Sequence, residues 1–333
     1  MRIGVTYDLR ADYLAMGMSE EDTAEFDSEV TIAGICDALA SLGYKPVRIG
    51  NIHKLTEALA RGERWDGVFN FCEGVNGVSR EAQAPALLEA YDIPYVFSDP
   101  LTLALTLDKA MAKRVVRDCG IPTPAFAVIE RAADIRGVDL PFPLFLKPVA
   151  EGSGKGVDAK SKVDNRAQLD RTARSLLARF RQPVLVETFL PGREFTVAIL
   201  GTGDDANVLG VSEIRRKANW VGEGYGYENK EYWEDKVDIV GADPKSAKAA
   251  GKVALAAWRA LRCRDGGRVD IRNDAEGRPN FIEVNPVAGL RPDYSDMCFI
   301  ATREGLNYRQ LIGRIMESFL QRYPQLKQRR AAA

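Results

Sequence analysis

Along the first hundred residues, short apolar runs alternate with amphipathic stretches. Ile3 to Tyr7 is an apolar run of strand length. Ser28 to Leu42 then sets Val30, Ile35, Leu39 and Leu42 at helical spacing, closed by Gly43. Pro46 to Ile49 reads as a strand, residues around 54 to 61 as a helix, and Gly67 to Phe71 as a strand. Glu81 to Tyr91 reads as a helix and Pro94 to Phe97 as a strand. This alternation predicts a parallel sheet. No GxGxxG follows the first strand, so a dinucleotide site is not indicated. That strand runs instead into the acidic segment 8 to 29, which contains SEEDTAEFDSE and reads as a solvated loop whose end reaches a helix N-terminus.

Beyond residue 100 the periods change. Residues 106 to 119 form one amphipathic helix ended by Gly120, and Ala125 to Ile129 a strand. Phe142 to Pro148 is another strand, followed by EGSGKG, a strand-like Val157 and a helix near 165 to 180. Strands are expected at 184 to 188 and 194 to 200. Residues 216 to 236 are rich in glycine and aromatics and lack periodicity, the mark of a functional or mobile segment. A helix at 244 to 261 precedes a hairpin built on RVDIRNDAEGRPNFIEVN. A last helix, 306 to 321, leads to a polar, basic tail expected to be disordered.

Composition narrows the function classes. The chain has 333 residues with net charge −1, and 46% of them are hydrophobic. That length suggests two or three packed units. The balanced charge points to neither nucleic acid nor an anionic membrane as partner. No run is long and apolar enough to span a bilayer, and the N-terminus reads as a strand, not a signal peptide. Five scattered cysteines form no CxxC, which argues against a disulfide framework or zinc and fits a reducing, cytoplasmic setting. The single histidine, His53, sits at the start of a surface helix, so chemistry needing a histidine base is not indicated.

Three stretches could carry chemistry. In the hairpin, strand alternation puts Glu283 and Asn285 on one face, and antiparallel pairing can bring Arg268 and Asp270 to the same face. Such oxygens suit magnesium, and an adjacent arginine can neutralise a transferring phosphoryl group. The competing reading is a surface hairpin with cross-strand ion pairs. In the second stretch, Lys147-Pro148 precedes Glu151-Gly152-Ser153-Gly154-Lys155-Gly156. Three glycines in five positions let backbone N–H groups close on phosphate, although the P-loop spacing fails. A plain flexible turn is the alternative. In the third, Glu187 ends one strand and Glu194 opens the next across an apolar link, where a purine could sit.

In this order and spacing, the three blocks resemble the ATP-grasp superfamily, and within it the D-alanine–D-alanine ligases. The blocks read Lys147-Pro148…Glu151-Gly152-Ser153, Glu187…Leu190…Glu194-Phe195-Thr196-Val197, and Arg268-Val269-Asp270…Glu283-Val284-Asn285. The resemblance implies a mixed α/β and α+β chain. A parallel-sheet, Rossmann-like domain would span 1–100. A two-lobed ATP-grasp domain would follow at 101–185 and 186–323, with a disordered tail at 324–333. It implies ATP held by Lys109, Lys147 and the Ser153, Gly154 and Gly156 loop, with adenine framed by Glu187 and Leu190 and ribose by Glu194. It implies two magnesium ions, with manganese as the alternative, on Asp270, Glu283 and Asn285. Arg268, Gly289 and the mobile-loop Lys230 would serve the reaction. Asp27, Glu29 and Ser295 would contact substrate, and the partners would be a small carboxylate, an amine and a second copy of the chain.

The departures concern the substrates. Glu231 stands where the family has a tyrosine after the loop lysine. The stretch Phe71-Cys72-Glu73 lacks the family histidine. Pro286-Val287-Ala288-Gly289-Leu290 replaces Thr-Ser-Pro-Gly-Met. Three functions follow as expectations: an ATP-dependent carboxylate–amine ligase with substrates other than a D-alanine pair, a true D-alanine–D-alanine ligase, or a catalytically silent ATP-binding protein.

Overall fold

The computed structural model describes residues 1–219 and 233–331. Among them the strands make three sheets. The first is the parallel sheet expected from the alternating pattern: β1 Arg2–Tyr7, β2 Lys45–Gly50, β3 Gly67–Phe71 and β4 Tyr95–Val96, in the order β2-β1-β3-β4. The second is antiparallel: β5 Phe126–Ile129, β6 Leu144–Pro148, β7 Lys162–Val163 and β8 Val184–Thr188, in the order β5-β8-β6-β7. The third, also antiparallel, holds β9 Glu194–Leu200, β10 Asn207–Arg216, β11 Val237–Gly241, β12 Gly266–Asn273 and β13 Pro279–Asn285. Its order is β11-β10-β9-β12-β13.

Several expected elements shift, each for a local reason. Residues 8–29 are not a solvated loop. They contain the helix Arg10–Ala15 and bury Asp8, Tyr13, Thr23 and Phe26, with the Tyr13 and Phe26 rings 4.5 Å apart. On the helix Glu29–Ser41 the buried face is Ile32, Ile35 and Leu39, while Val30 is exposed. The helix expected over 106–119 is two helices, Pro100–Leu107 and Lys109–Asp118. Asp108 is extended between them, and its carboxylate accepts the Met111 N–H at 2.9 Å. The strand after the glycine loop begins at Lys162, not at Val157. Strands β10 and β11 and the helix Asp296–Arg303 lie outside the expected pattern. The expected disordered tail is, over Pro324–Ala331, a helix anchored by buried Leu326.

The largest apolar cluster crosses the whole chain. Ile3, Val5, Ile35 and Phe69 of the first sheet layer pack with Leu290, from the segment after β13, and with Met297, Ile312, Ile315 and Phe319 from the C-terminal helices. Burial of these side chains, about 1.5–3 kcal/mol each, holds the parallel sheet against the end of the β12–β13 hairpin. A cleft opens between the second and third sheets, and a wider one adjoins it beside the loops of the first layer. Among the described residues, no helix is long and apolar enough to cross a membrane.

Candidate active site

The hairpin β12–β13 pairs as alternation predicts. Arg268 lies opposite Asn285 and Asp270 opposite Glu283, before a bulge after Asp270 shifts the register. The Thr196 hydroxyl on β9 donates to Asp270 at 3.0 Å, and the Asn285 amide donates to its other oxygen at 3.4 Å. Arg268 reaches Asp296 at 3.2 Å and Asp270 at 3.6 Å. Asp296, in the first turn of the helix Asp296–Arg303, is a partner of Arg268 that the sequence did not single out.

Charges alternate from the hairpin into the second sheet. Lys109 lies 3.8 Å from Glu283, Lys147 3.5 Å from Glu283 and 3.3 Å from Glu187, and Lys113 2.6 Å from Glu187. Burial lowers the Lys113 ammonium to about 8 against the opposing pull of Glu187, and burial also lowers Lys109. Burial would raise Glu187, but Lys113 and Lys147 more than offset it and hold this carboxyl below its usual range. Glu187 therefore serves the lysines with its side chain. Glu187 also lines the narrower of the two clefts described below. Lys113 follows Lys109 by one helical turn, and that spacing was the signal that could have revealed it.

The glycine loop is docked, not loose. Ser153, Gly154 and Gly156 all have positive φ. The Gly152 N–H donates to the Glu25 carboxylate, and the Ser153 hydroxyl donates to the Ala24 carbonyl at 3.3 Å. Glu25 also pairs with Arg80 at 3.0 Å and Lys155 at 3.4 Å, and Arg80 donates to the Ala150 carbonyl at 3.0 Å. Burial would raise Glu25, but Arg80 and Lys155 keep its carboxyl low. Glu25 and Arg80 were hidden in stretches with no local signal.

Two clefts meet at this centre. The narrower, of ≈ 100 Å³, has apolar walls from Phe145, Phe189, Leu190, Ile214 and Ile282, with Glu194 at its side. Glu194 pairs with Arg272 at 3.5 Å. The wider, of ≈ 320 Å³, is lined by Asp27, Glu73, Glu81, Gly289 and Ser295 among others. Lys109, Arg268, Glu283 and Asp296 line both. The Ser295 hydroxyl accepts the Arg291 N–H at 3.0 Å and lies 2.9 Å from where a Cβ on Gly289 would stand. Glu29 is not brought to the site. It is exposed and pairs with Arg48 at 2.5 Å. Lys230 lies outside the described residues.

The chemistry of the donor set bears on metal binding. Asp270, Glu283 and Asn285 offer oxygen ligands, and among the described residues no group of three acidic, histidine or cysteine side chains is arranged to hold a metal ion by itself. Two carboxylates and one amide fit a hard cation that completes its shell with water and phosphate oxygens.

Comparison with known proteins completes this picture. Residues 115–317 match the family model described as the D-ala D-ala ligase C-terminus. The chain is 32% identical over 318 residues to D-alanine–D-alanine ligase B of Xanthomonas campestris pv. campestris, covering 93% of this chain and 95% of that one. It is 37% identical over 261 residues to D-alanine–D-alanine ligase of Bordetella petrii, covering 77% and 76%. The structure of D-alanine–D-alanine ligase from Bacillus anthracis complexed with ATP superposes with a TM-score of 0.72 at 22% identity, over 98% of this chain and 99% of that one.

Proposed function

The chain belongs to the D-alanine–D-alanine ligase family of ATP-grasp enzymes and is an ATP-dependent carbon–nitrogen ligase, and from that premise we propose that it joins two amino-acid-like substrates through an acyl phosphate. The observation that carries this reading is the junction of the two clefts at Lys109, Arg268, Glu283 and Asp296. A nucleotide in the narrower cleft and a carboxylate in the wider one would meet there. Adenine fits the apolar walls, with its edge read by backbone of Thr188 to Leu190 and its ribose by Glu194. Lys109 and Lys147 face the phosphates.

In the proposed reaction, a carboxylate oxygen of the first substrate attacks the γ-phosphorus. The bond from phosphorus to the bridging oxygen breaks, and ADP leaves. The neutral amine of the second substrate then attacks the acyl carbon, loses a proton, and phosphate departs with one original carboxylate oxygen. Magnesium held by Asp270, Glu283 and Asn285 would offset the charge of the triphosphate. Arg268, fixed by Asp296, stands where charge develops on both phosphoryl and acyl oxygens. The docked glycine loop keeps water away from the acyl phosphate. This is catalysis by positioning and charge neutralisation, so the lack of a histidine at the site is no obstacle.

The test is phosphate release with ATP and magnesium across D- and L-amino acids, hydroxy acids and amines, with mass analysis of the products. Release that requires an amino acid and yields a condensed product is expected. Steady ATP binding without release for any pair would contradict the proposal. A second reading, ligation of two D-alanines, is favoured by the named relatives, and a D-alanyl-D-alanine product in the same assay would establish it.

A further inference from the structure

The wider cavity holds more acid than one amino-acid ammonium needs. Glu25, Asp27, Glu73 and Glu81 all line it. Glu25 is matched by Arg80, Lys155 and the Gly152 N–H. The other three are not matched in the same way. Asp27 is hydrogen-bonded to Thr31, and Asp8 acts on it as a like charge. Among the described residues, none makes an ion pair or a side-chain hydrogen bond with the carboxylate of Glu73 or Glu81. The cations that act on them are Arg80 and Lys109. Arg80 is engaged by Glu25 and the Ala150 carbonyl, and Lys109 by the Glu151 carbonyl at 2.5 Å and by Glu283. The three arginines on the cavity wall face other groups: Arg10 donates to the Glu20 carbonyl, Arg268 reaches Asp296 at 3.2 Å, and Arg291 lies 4.5 Å above the Tyr294 ring.

Glu73 is placed there by a built turn. The backbone N–H groups of Glu73 and Gly74 donate to one oxygen of buried Asp8, at 3.0 and 2.9 Å. The other Asp8 oxygen accepts the Tyr13 hydroxyl at 2.5 Å. Gly74 has φ +71°, and a Cβ there would lie 2.6 Å from the Arg80 carbonyl oxygen, so the turn admits only glycine. Glu73 feels Glu81, Glu25 and Asp27 as like charges, and burial together with these neighbours raises its carboxyl well above the usual range. Grouped, half-buried carboxylates are satisfied by protons or by bound cations.

We propose that the substrate seated in this cavity carries two ammonium groups, as a diamino acid does, one paired with Asp27 and the second held between Glu73 and Glu81. This rests on the ligase reading of the same site. A monoamino acid leaves two of the three carboxylates without a charged donor. A second ammonium supplies charge-assisted hydrogen bonds to both and favours their ionised form, so its binding releases protons that burial favours.

The experiment is titration calorimetry of the intact protein with ADP and magnesium. The probes are 2,3-diaminopropionate, ornithine, lysine and alanine, in both enantiomers and in two buffers of different ionisation enthalpy. The inference expects one diamino acid to bind at least about tenfold more tightly than alanine of the same hand, with net proton release. Glu73→Gln and Glu81→Gln, checked for a cooperative melting transition and unchanged ADP affinity, should each remove most of that preference. If no diamino acid binds more tightly than alanine, or if the preference survives intact in both variants, the inference is overturned. Calorimetry needs no turnover, so failure of phosphate release would count against the ligase reading alone.

Discussion

Glu187 sits between two lysines, 2.6 Å from Lys113 and 3.3 Å from Lys147, with almost no access to water. Removing one partner of such a group leaves a charge buried and poorly matched. Lys113→Met is therefore expected to lower the unfolding free energy by about 3 kcal/mol, read by urea denaturation. A loss under about 1 kcal/mol would mean the pair behaves like a surface contact. Asp27 and Glu81 act in the opposite sense, because burial lifts each carboxyl to about 7 from 3.8 and 4.5. Between those values the folded protein retains protons that the unfolded chain has lost. The resulting stability is complete below the unfolded values and is lost as pH rises through about 7. The melting temperature of the ligand-free protein should fall from about pH 6 to about pH 8, and Glu81→Gln should flatten the fall. A wild-type melting temperature that rises over this range would contradict the assignment.

At the scale of elements, the glycine loop is held by a residue from another sheet layer. Glu25 takes the Gly152 N–H and pairs with Lys155 and Arg80, so Glu25→Gln should weaken charged contacts worth about 1.5–3 kcal/mol. Hydrogen exchange over residues 151–157 is expected to speed up about tenfold or more, with the global melting transition little changed. Unchanged exchange there would mean the latch does not hold the loop. The two halves of this site differed in how far the sequence revealed them. Arg268, Asp270, Glu283 and Asn285 were legible because period-two alternation and a short turn set both face and register locally. Glu25 was not, because its partner Arg80 is 55 residues away and Gly152 is 127 away. An acidic stretch with distant partners looks like a solvated one. The break at Asp108 was masked for the same kind of reason: helical periodicity continues on both sides of it, and only the cap separates the two helices.

The whole molecule is tied together by contacts that join its beginning to its end. Fully buried Asp265 accepts the Phe97 N–H at 2.7 Å, the Ser318 hydroxyl at 2.9 Å and Arg322 at 2.5 Å. It thus links the parallel sheet, the third sheet and the helix Tyr308–Arg322. Asp265→Asn should cost about 3 kcal/mol and bring the parallel sheet and the C-terminal helices down in one transition. An unchanged denaturation midpoint would contradict this. The same arrangement sets the two clefts against each other, which is the geometric basis of the proposed ligation. Its most direct test uses a pool of amino acids labelled with ¹⁸O in the carboxylate, turned over with ATP and magnesium, with mass analysis of the phosphate released. Transfer of one ¹⁸O atom into phosphate is the predicted result, because the carboxylate oxygen that attacks phosphorus leaves with it. Phosphate formed without label would contradict the acyl-phosphate account.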